Sequence, residues 1–309
     1  MAESDRTASL MTPAKLAQAR PKAAVTPAAW LDQMAADAGH AHVSRLAELS
    51  TQLAEQGQVR DISPVMAELG GLAEALPQLD FSLLQARGWW ARTTGKTRSA
   101  GAEFASQFEQ IEEVTKGLAG KTQALQKAQQ DQTAAADLAL LELEVEFRAI
   151  DKIIDQGARW LQDMRNQLKT RQAAAPDAQG QQSIDDDAAR CEILVARLKV
   201  LRAVSAAAMQ AHEQAQAATA RRVALLQLLQ QALAGDIKAW RARLSALASA
   251  AGDTGSPALS LEGPMEAHRE LQLRVKRAIA DCGQLLGQEK ALSESLGGLA
   301  SQVAAAQSR

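Results

Sequence analysis

A seven-residue repeat between Phe104 and Leu168 constrains this chain more than any other feature. Its positions recur at alternating intervals of four and three residues, and no proline interrupts the segment. A period of seven places all of these positions on one stripe of an α-helix. A helix of this length, roughly 90 to 100 Å at 1.5 Å per residue, cannot bury the stripe against itself. The sequence therefore predicts a long helix that packs against partner helices over most of its length.

Two further segments carry the same period. The second stripe runs from Leu194 to Leu247 and the third from Leu271 to Val303. The first and second stripes both have large apolar ends and a polar or small middle, represented by Thr115 in the first and Ser205 in the second. Two matching stripes joined by a short loop favour an antiparallel hairpin.

Proline and glycine set the expected ends of these helices. Pro176 and Gly180 interrupt the first, and Ser183, followed by three aspartates, is a typical N-cap for the second. Gly263 and Pro264 mark the start of the third. The predicted helices span about 101–172, 183–251 and 264–306. Together they predict an elongated antiparallel coiled-coil bundle of long helices over 101–309.

The rest of the chain reads as helical too. The 309 residues are 47% hydrophobic, only 3% aromatic, and include no tyrosine, and β-branched residues never alternate over a useful run. We expect an all-α protein with a disordered tail over 1–26 and a small helical subdomain over 27–85. Thr26 and Pro27 would start its first helix, which Gly57 would end.

The sequence breaks most sharply in the turn at 86–100, which precedes the first long helix. It contains four cations and no acid beside a tryptophan pair: Arg87, Trp89, Trp90, Arg92, Lys96 and Arg98. Such a turn fits a contact surface for a protein partner or for an anionic membrane. It also fits a hinge whose tryptophans pack inward while the cations stay in solvent, and this structural interpretation is the one we favour.

Charge and cysteine content narrow the class of protein. The net charge is −2, so bulk electrostatics gives no reason to expect nucleic-acid binding. Cys191 and Cys282 form neither a disulfide framework nor a zinc motif. Both fall on helical stripes and are expected to be buried and reduced. With no signal peptide and no apolar run of membrane-spanning length, the expected location is the cytoplasm.

No catalytic constellation is visible in the sequence. The Thr94-Gly95-Lys96-Thr97 tetrapeptide lacks the upstream glycine of a phosphate-binding loop, since Trp90 occupies that position. His40 and His42 are two residues apart and would face different sides of a helix, while His212 falls on the second stripe as an expected core histidine. We therefore expect no enzyme, cofactor or metal site.

The order of features resembles the toxic-anion-resistance proteins, a TelA-like family linked with tellurite resistance in bacteria. The similar stretches are 42–50, 65–72, 79–81, the Trp89-Trp90-Ala91-Arg92 turn, and a long helix that opens with Phe104, Phe108, Ile111 and Leu118-Ala119-Gly120-Lys121. The likeness runs from about residue 30 to about residue 250. It implies a cytoplasmic helical protein associated with stress resistance, and it carries over no catalytic residue.

These observations give a leading hypothesis and two others. The leading one is a non-enzymatic scaffold or interaction protein of a bacterial stress-response system with an unidentified protein partner. The alternative is a coiled-coil structural adaptor of cell-envelope or division machinery. An oxyanion-converting enzyme is the third, although the sequence offers it no cysteine pair or nucleotide loop as an electron route. Homo-oligomerisation stays open in each case.

Overall fold

A computed structural model describes residues 38–59, 61–85, 96–174, 176–251 and 260–308. Within these ranges the chain is almost entirely helical and contains no strand, which confirms the prediction of an all-α fold. None of the helices in the described ranges has both the length and the apolar character that crossing a membrane requires.

Short helices come first. They are α1 (His40–Val59), α2 (Ser63–Ala75), a 3₁₀ turn (Leu76–Gln78) and α3 (Ser82–Gln85). The long helices follow as α4 (Lys96–Ala173), α5 (Ala178–Gln227), a π-helical segment (Leu228–Leu233), α6 (Ala234–Ala251) and α7 (Glu262–Gln307).

The start of α1 differs from the expectation of one helix running from Pro27 to Gly57. Gly39 has a φ of 72°, so a right-handed helix cannot continue through it. A Cβ atom at Gly39 would also lie 2.9 Å from a methyl group of Leu201, so the close approach of α5 favours glycine there. The expected start at Thr26 and Pro27 lies outside the described residues.

The start of α5 also differs from the expectation. Ser183 was predicted as its N-cap, but the helix begins at Ala178 and Ser183 lies inside it. The backbone N–H of Gly180 donates to Asp177 Oδ1 at 2.7 Å, so Asp177 supplies the cap. Pro176, just before this cap, lies between α4 and α5, where the sequence suggested that the first long helix could not continue.

The second predicted helix is continuous through 251, but one part of it is wound differently. In the segment Leu228–Leu233 the backbone hydrogen bonds follow π-helical geometry, in which each N–H bonds to the carbonyl five residues earlier. The Ala234 N–H, for example, donates to the Leu229 carbonyl. Leu226, Leu229 and Leu233 remain buried through this segment. The heptad count therefore gives no sign of the wider turn.

The chain divides into two compact units; α4, α5 and α7 each contribute to both, and α6 belongs to unit 2. Unit 1 comprises the described residues within Met1–Gln56, Ala134–Gln216 and Lys290–Arg309, and unit 2 comprises those within Gly57–Thr133 and Ala217–Glu289. The residues expected to form one small subdomain over 27–85 are thus shared between the two units.

Within unit 1, α4 and α5 run antiparallel. Arg165 pairs with Glu192 at 3.3 Å, and Ser205 donates to Asp151 at 2.5 Å, so residue numbers rise on one helix as they fall on the other. Leucine and isoleucine fill the core together with small alanines at 38, 139, 208, 211, 215 and 306. Small residues at these positions permit close helix packing.

Within unit 2, α6 packs against α4, since Arg241 of α6 pairs with Glu112 of α4 at 3.0 Å. The core is built differently, around aromatic rings. Phe108 and Trp240 have ring centroids 5.4 Å apart, and the Trp240 indole N–H donates to His268 Nδ1 at 3.2 Å. An indole this large needs such a partner when it is buried.

Candidate interaction surface

The basic turn singled out in the sequence lies mostly beyond the described residues. Arg87, Trp89, Trp90 and Arg92 fall outside them. Lys96 and Arg98 belong to the first turns of α4, but their side chains are outside the described part. Both interpretations of this turn, contact surface or inward-packed hinge, stay predictions.

A different surface is visible on α4, on the side away from the unit 1 core. Leu138, Leu141 and Val145 are 56%, 58% and 57% exposed, respectively. Their spacing of three and four residues places them one above another on the same helix face. We call these three residues the outer stripe. Exposed single apolar residues are common, but three in register on one helix form a surface that another helix can cover.

Charged residues flank the outer stripe, and most of them are paired. Arg45 of α1 donates to Glu142 and to Glu48, and these two hydrogen bonds raise the pKa of the Arg45 guanidinium. On the other flank, Arg148 pairs with Glu144 one helical turn away. Each of these two cations is therefore paired with an acidic side chain beside the outer stripe.

Two buried histidines of unit 1 lie next to acidic side chains near this surface. His42 Nδ1 lies 2.6 Å from Glu146 Oε2, and His212 Nε2 lies 3.8 Å from Glu144 Oε2. The His212 ring also packs edge-on against Phe147, so it is a core histidine, as predicted from its stripe. Among the described residues, no group of three or more His, Cys, Asp or Glu side chains could hold a metal ion.

Both cysteines are buried free thiols, as expected from their stripe positions. Burial raises the pKa of the Cys191 thiol, and it raises the pKa of the Cys282 thiol to about 11. Since the thiolate is the reactive form, both residues are poor nucleophiles in the folded protein.

Sequence reasoning missed the outer stripe because the first heptad stripe dominates the helix. The sequence did indicate a second apolar face, because apolar residues in one segment surround more of the helix than a single buried face requires. That segment is Ala134-Ala-Ala-Asp-Leu-Ala-Leu-Leu-Glu-Leu-Glu-Val145. Comparison with protein-family models, curated proteins and solved structures finds no match for the chain.

Proposed function

We propose that this chain is a non-enzymatic helical scaffold of a bacterial stress-response system, as its resemblance to toxic-anion-resistance proteins implies. In this proposal it binds an amphipathic helix of a partner protein on the outer stripe. The observation that supports a binding role is the exposure of Leu138, Leu141 and Val145, each more than half exposed, at coiled-coil spacing.

The size of the outer stripe limits how it would work. Burying its exposed halves would contribute about 3 kcal/mol, from roughly 1.5–3 kcal/mol per fully buried aliphatic side chain. That corresponds to an affinity of roughly millimolar before the costs of association are counted. The stripe would therefore be the apolar centre of a larger contact, and the acidic and basic residues on its flanks would orient the partner.

A complementation experiment tests both parts of the proposal. A strain lacking the gene should lose tellurite tolerance, and the wild-type gene should restore it. A triple variant, Leu138→Glu with Leu141→Glu and Val145→Glu, should fail to restore it, because three carboxylates prevent an apolar helix from packing there. Leu273→Glu is the control, since Leu273 is an exposed leucine, at 62% exposure, that lies outside the outer stripe.

The comparison of tellurite tolerance requires that both variants fold like the wild type. Surface substitutions usually change stability by less than about 0.5 kcal/mol, so circular dichroism and melting should be the same for the triple variant and the control. Restoration by the triple variant would contradict the role of the outer stripe. Unchanged tellurite tolerance in the deletion strain would contradict the stress-response role, and altered cell shape in that strain would favour the envelope or division adaptor.

The non-enzymatic part has its own test. Purified protein incubated with tellurite and either NADPH or a thiol should not raise the rate of tellurite consumption above that with denatured protein, because both cysteines are buried with raised thiol pKa values. Catalytic consumption of tellurite above the rate with denatured protein would contradict this part and leave the partner-binding part standing.

A further inference from the structure

A second surface feature, in unit 2, points to a ligand rather than to a partner helix. A groove of about 490 Å³ lies between α4, over 115–126, and the π-helical segment with the first turns of α6, over 229–241. This volume falls in the range typical of small-molecule sites, roughly 300–1,000 Å³. We call this feature the α4–α6 groove.

Aliphatic side chains form the floor of the groove. Leu118, Leu229 and Leu233 are buried, and Ile237 is partly buried beside them. The groove extends about 17 Å along α4, from the rise of 1.5 Å per residue, which is comparable with the extended alkyl chain of dodecanoate. Such a floor fits an unbranched apolar chain.

The polar residues of the groove are biased towards positive charge. Lys116, Lys238 and Arg241 line it, and among the described residues that line it none carries a carboxylate. Arg241 pairs with Glu112 at 3.0 Å and Lys116 with Glu113 at 3.3 Å. Lys238 has no hydrogen-bond or ion-pair partner among the described residues, so one cation at the rim is free to meet an anion.

The π-helical segment adds an unsatisfied donor. Gln230 lines the groove, and its Nε2 atom is buried without a hydrogen-bond partner in the described part of the chain. Buried amide donors are nearly always paired, so this one calls for an acceptor. π-turns inside α-helices are frequently found at functional sites, where they alter which side chains face a groove.

We propose that the α4–α6 groove binds an amphipathic anion, a single unbranched alkyl chain that ends in a carboxylate. The chain lies on the floor made by Leu118, Leu229 and Leu233. The carboxylate meets Lys238 at the rim and accepts a hydrogen bond from Gln230. This role is independent of the partner-binding function proposed above, because it uses residues of unit 2 and none of the outer stripe.

Calorimetric titration of the full-length protein tests this assignment with three probes. Dodecanoate, below its micelle concentration, should bind with a stoichiometry of one. Dodecan-1-ol has the same chain without the charge, and acetate has the charge without the chain. Both should bind at least about tenfold more weakly, because each lacks one of the two contacts that the groove offers.

Two variants locate the binding. Lys238→Glu should weaken dodecanoate by about tenfold or more, as expected when a charge-assisted contact becomes repulsive. Ala119→Trp, at an exposed lining position, should abolish binding by filling the groove. The matched controls are Lys152→Glu and Ala220→Trp, which change exposed residues away from the groove and should leave the affinity unchanged.

Several results would overturn the assignment. One is the absence of dodecanoate binding, and another is equal affinity for dodecanoate and dodecan-1-ol. A third is binding that survives Ala119→Trp. If the protein instead forms a concentration-dependent dimer that Ala119→Trp disrupts, the groove is a contact between copies of this chain and the ligand assignment falls.

Discussion

Units 1 and 2 are built from the same three long helical stretches, yet different side chains fill their cores. Unit 1 fills its centre with aliphatic and alanine side chains together with Phe147, and it pairs Ser205 with Asp151 and His42 with Glu146 across helices. Unit 2 adds Phe104, Phe108 and Trp240 to a core that is otherwise mostly aliphatic. Small side chains let helices approach closely, whereas large rings hold them apart. The α4–α6 groove lies in unit 2, whereas a groove of about 430 Å³ in unit 1 lies between α5 and the end of α7.

The largest expected effect tests the aromatic core of unit 2. Trp240→Ala should destabilise the protein by about 3–5 kcal/mol, the usual cost of removing a fully buried tryptophan. Trp240 is completely buried and also donates to His268. Guanidinium denaturation measures the change, and Trp160→Ala in unit 1 is the control, since Trp160 is only partly buried. Equal losses in the two variants would contradict the contrast between the cores.

The two cysteines show where that loss occurs, because Cys191 belongs to unit 1 and Cys282 to unit 2. Alkylation under native conditions, followed by peptide mass mapping, reports the opening around each thiol. In Trp240→Ala the labelling of Cys282 should accelerate more than that of Cys191. Equal acceleration would mean that the two units open together.

The next effect tests the polar packing of unit 1. Arg197 is buried, and its guanidinium donates to the backbone carbonyls of Ala38, at 3.3 Å, and Ala306, at 2.6 Å. Burial lowers the pKa of this guanidinium, but arginine stays charged at neutral pH. Arg197→Leu should cost about 1–3 kcal/mol, because two buried carbonyls lose their donor. The exposed Arg202→Leu should change the unfolding free energy little.

A smaller effect is expected at a single hydroxyl in unit 1. Ser205 is buried, and its Oγ donates to Asp151 at 2.5 Å. Ser205→Ala should cost about 0.5–1.5 kcal/mol, the net value of one such hydrogen bond. The hydroxyl of Ser245, by contrast, is exposed and donates to the Ala242 carbonyl of its own helix. Ser245→Ala should therefore leave the free energy of unfolding nearly unchanged. A thermal melt of both variants gives the comparison, which a larger loss at Ser245 would reverse.

The smallest effect is a pH dependence from unit 2. Burial lowers the pKa of His268 below its ordinary 6.5, and a hydrogen bond to the Leu76 backbone opposes this only in part. Below pH 6.5 the unfolded chain therefore binds more protons at this residue than the folded one. Stability then rises with pH through that window and is lost as pH falls from about 6.5.

His268→Gln isolates this contribution. Urea midpoints measured from pH 7.5 to pH 5 should fall less steeply in the variant than in the wild type. Protonation of Nδ1 would also remove the acceptor for the Trp240 indole, which gives the loss a structural cause. Parallel pH profiles would show that His268 titrates alike in the folded and unfolded states.

The heptad period predicted most of the fold. Residues from Phe104 to Leu168 that follow the count of four and three are mostly buried, and the antiparallel pairing of the first two long helices is confirmed by Arg171–Asp187 at 2.7 Å. The prediction succeeded because a long apolar stripe requires both that the segment be helical and that other helices pack against it. Helix ends were less predictable, since Asp177 and Ser183 are both good caps and packing decides between them.

The surfaces could not be read from the same pattern. The heptad period identifies only the buried face of α4. Leu138 and Val145 lie off that face, and in the sequence they look like any other apolar residues of a hydrophobic segment. The π-helical segment leaves no trace either, because Leu229 and Leu233 keep their places in the count. The groove depends on which helix lies opposite Lys238, and that is a property of the packed structure rather than of local sequence.

The guanidinium of Arg197 has a practical consequence for handling the protein. It holds the turn that leads into α1 and the last turn of α7 with one side chain. Trimming the chain before Ala306 would remove one acceptor and thereby loosen Ala38, more than two hundred and sixty positions earlier in the sequence. A tag or a cleavage site placed near residue 306 is therefore also a perturbation near residue 38, and the two regions need to be altered and assayed together.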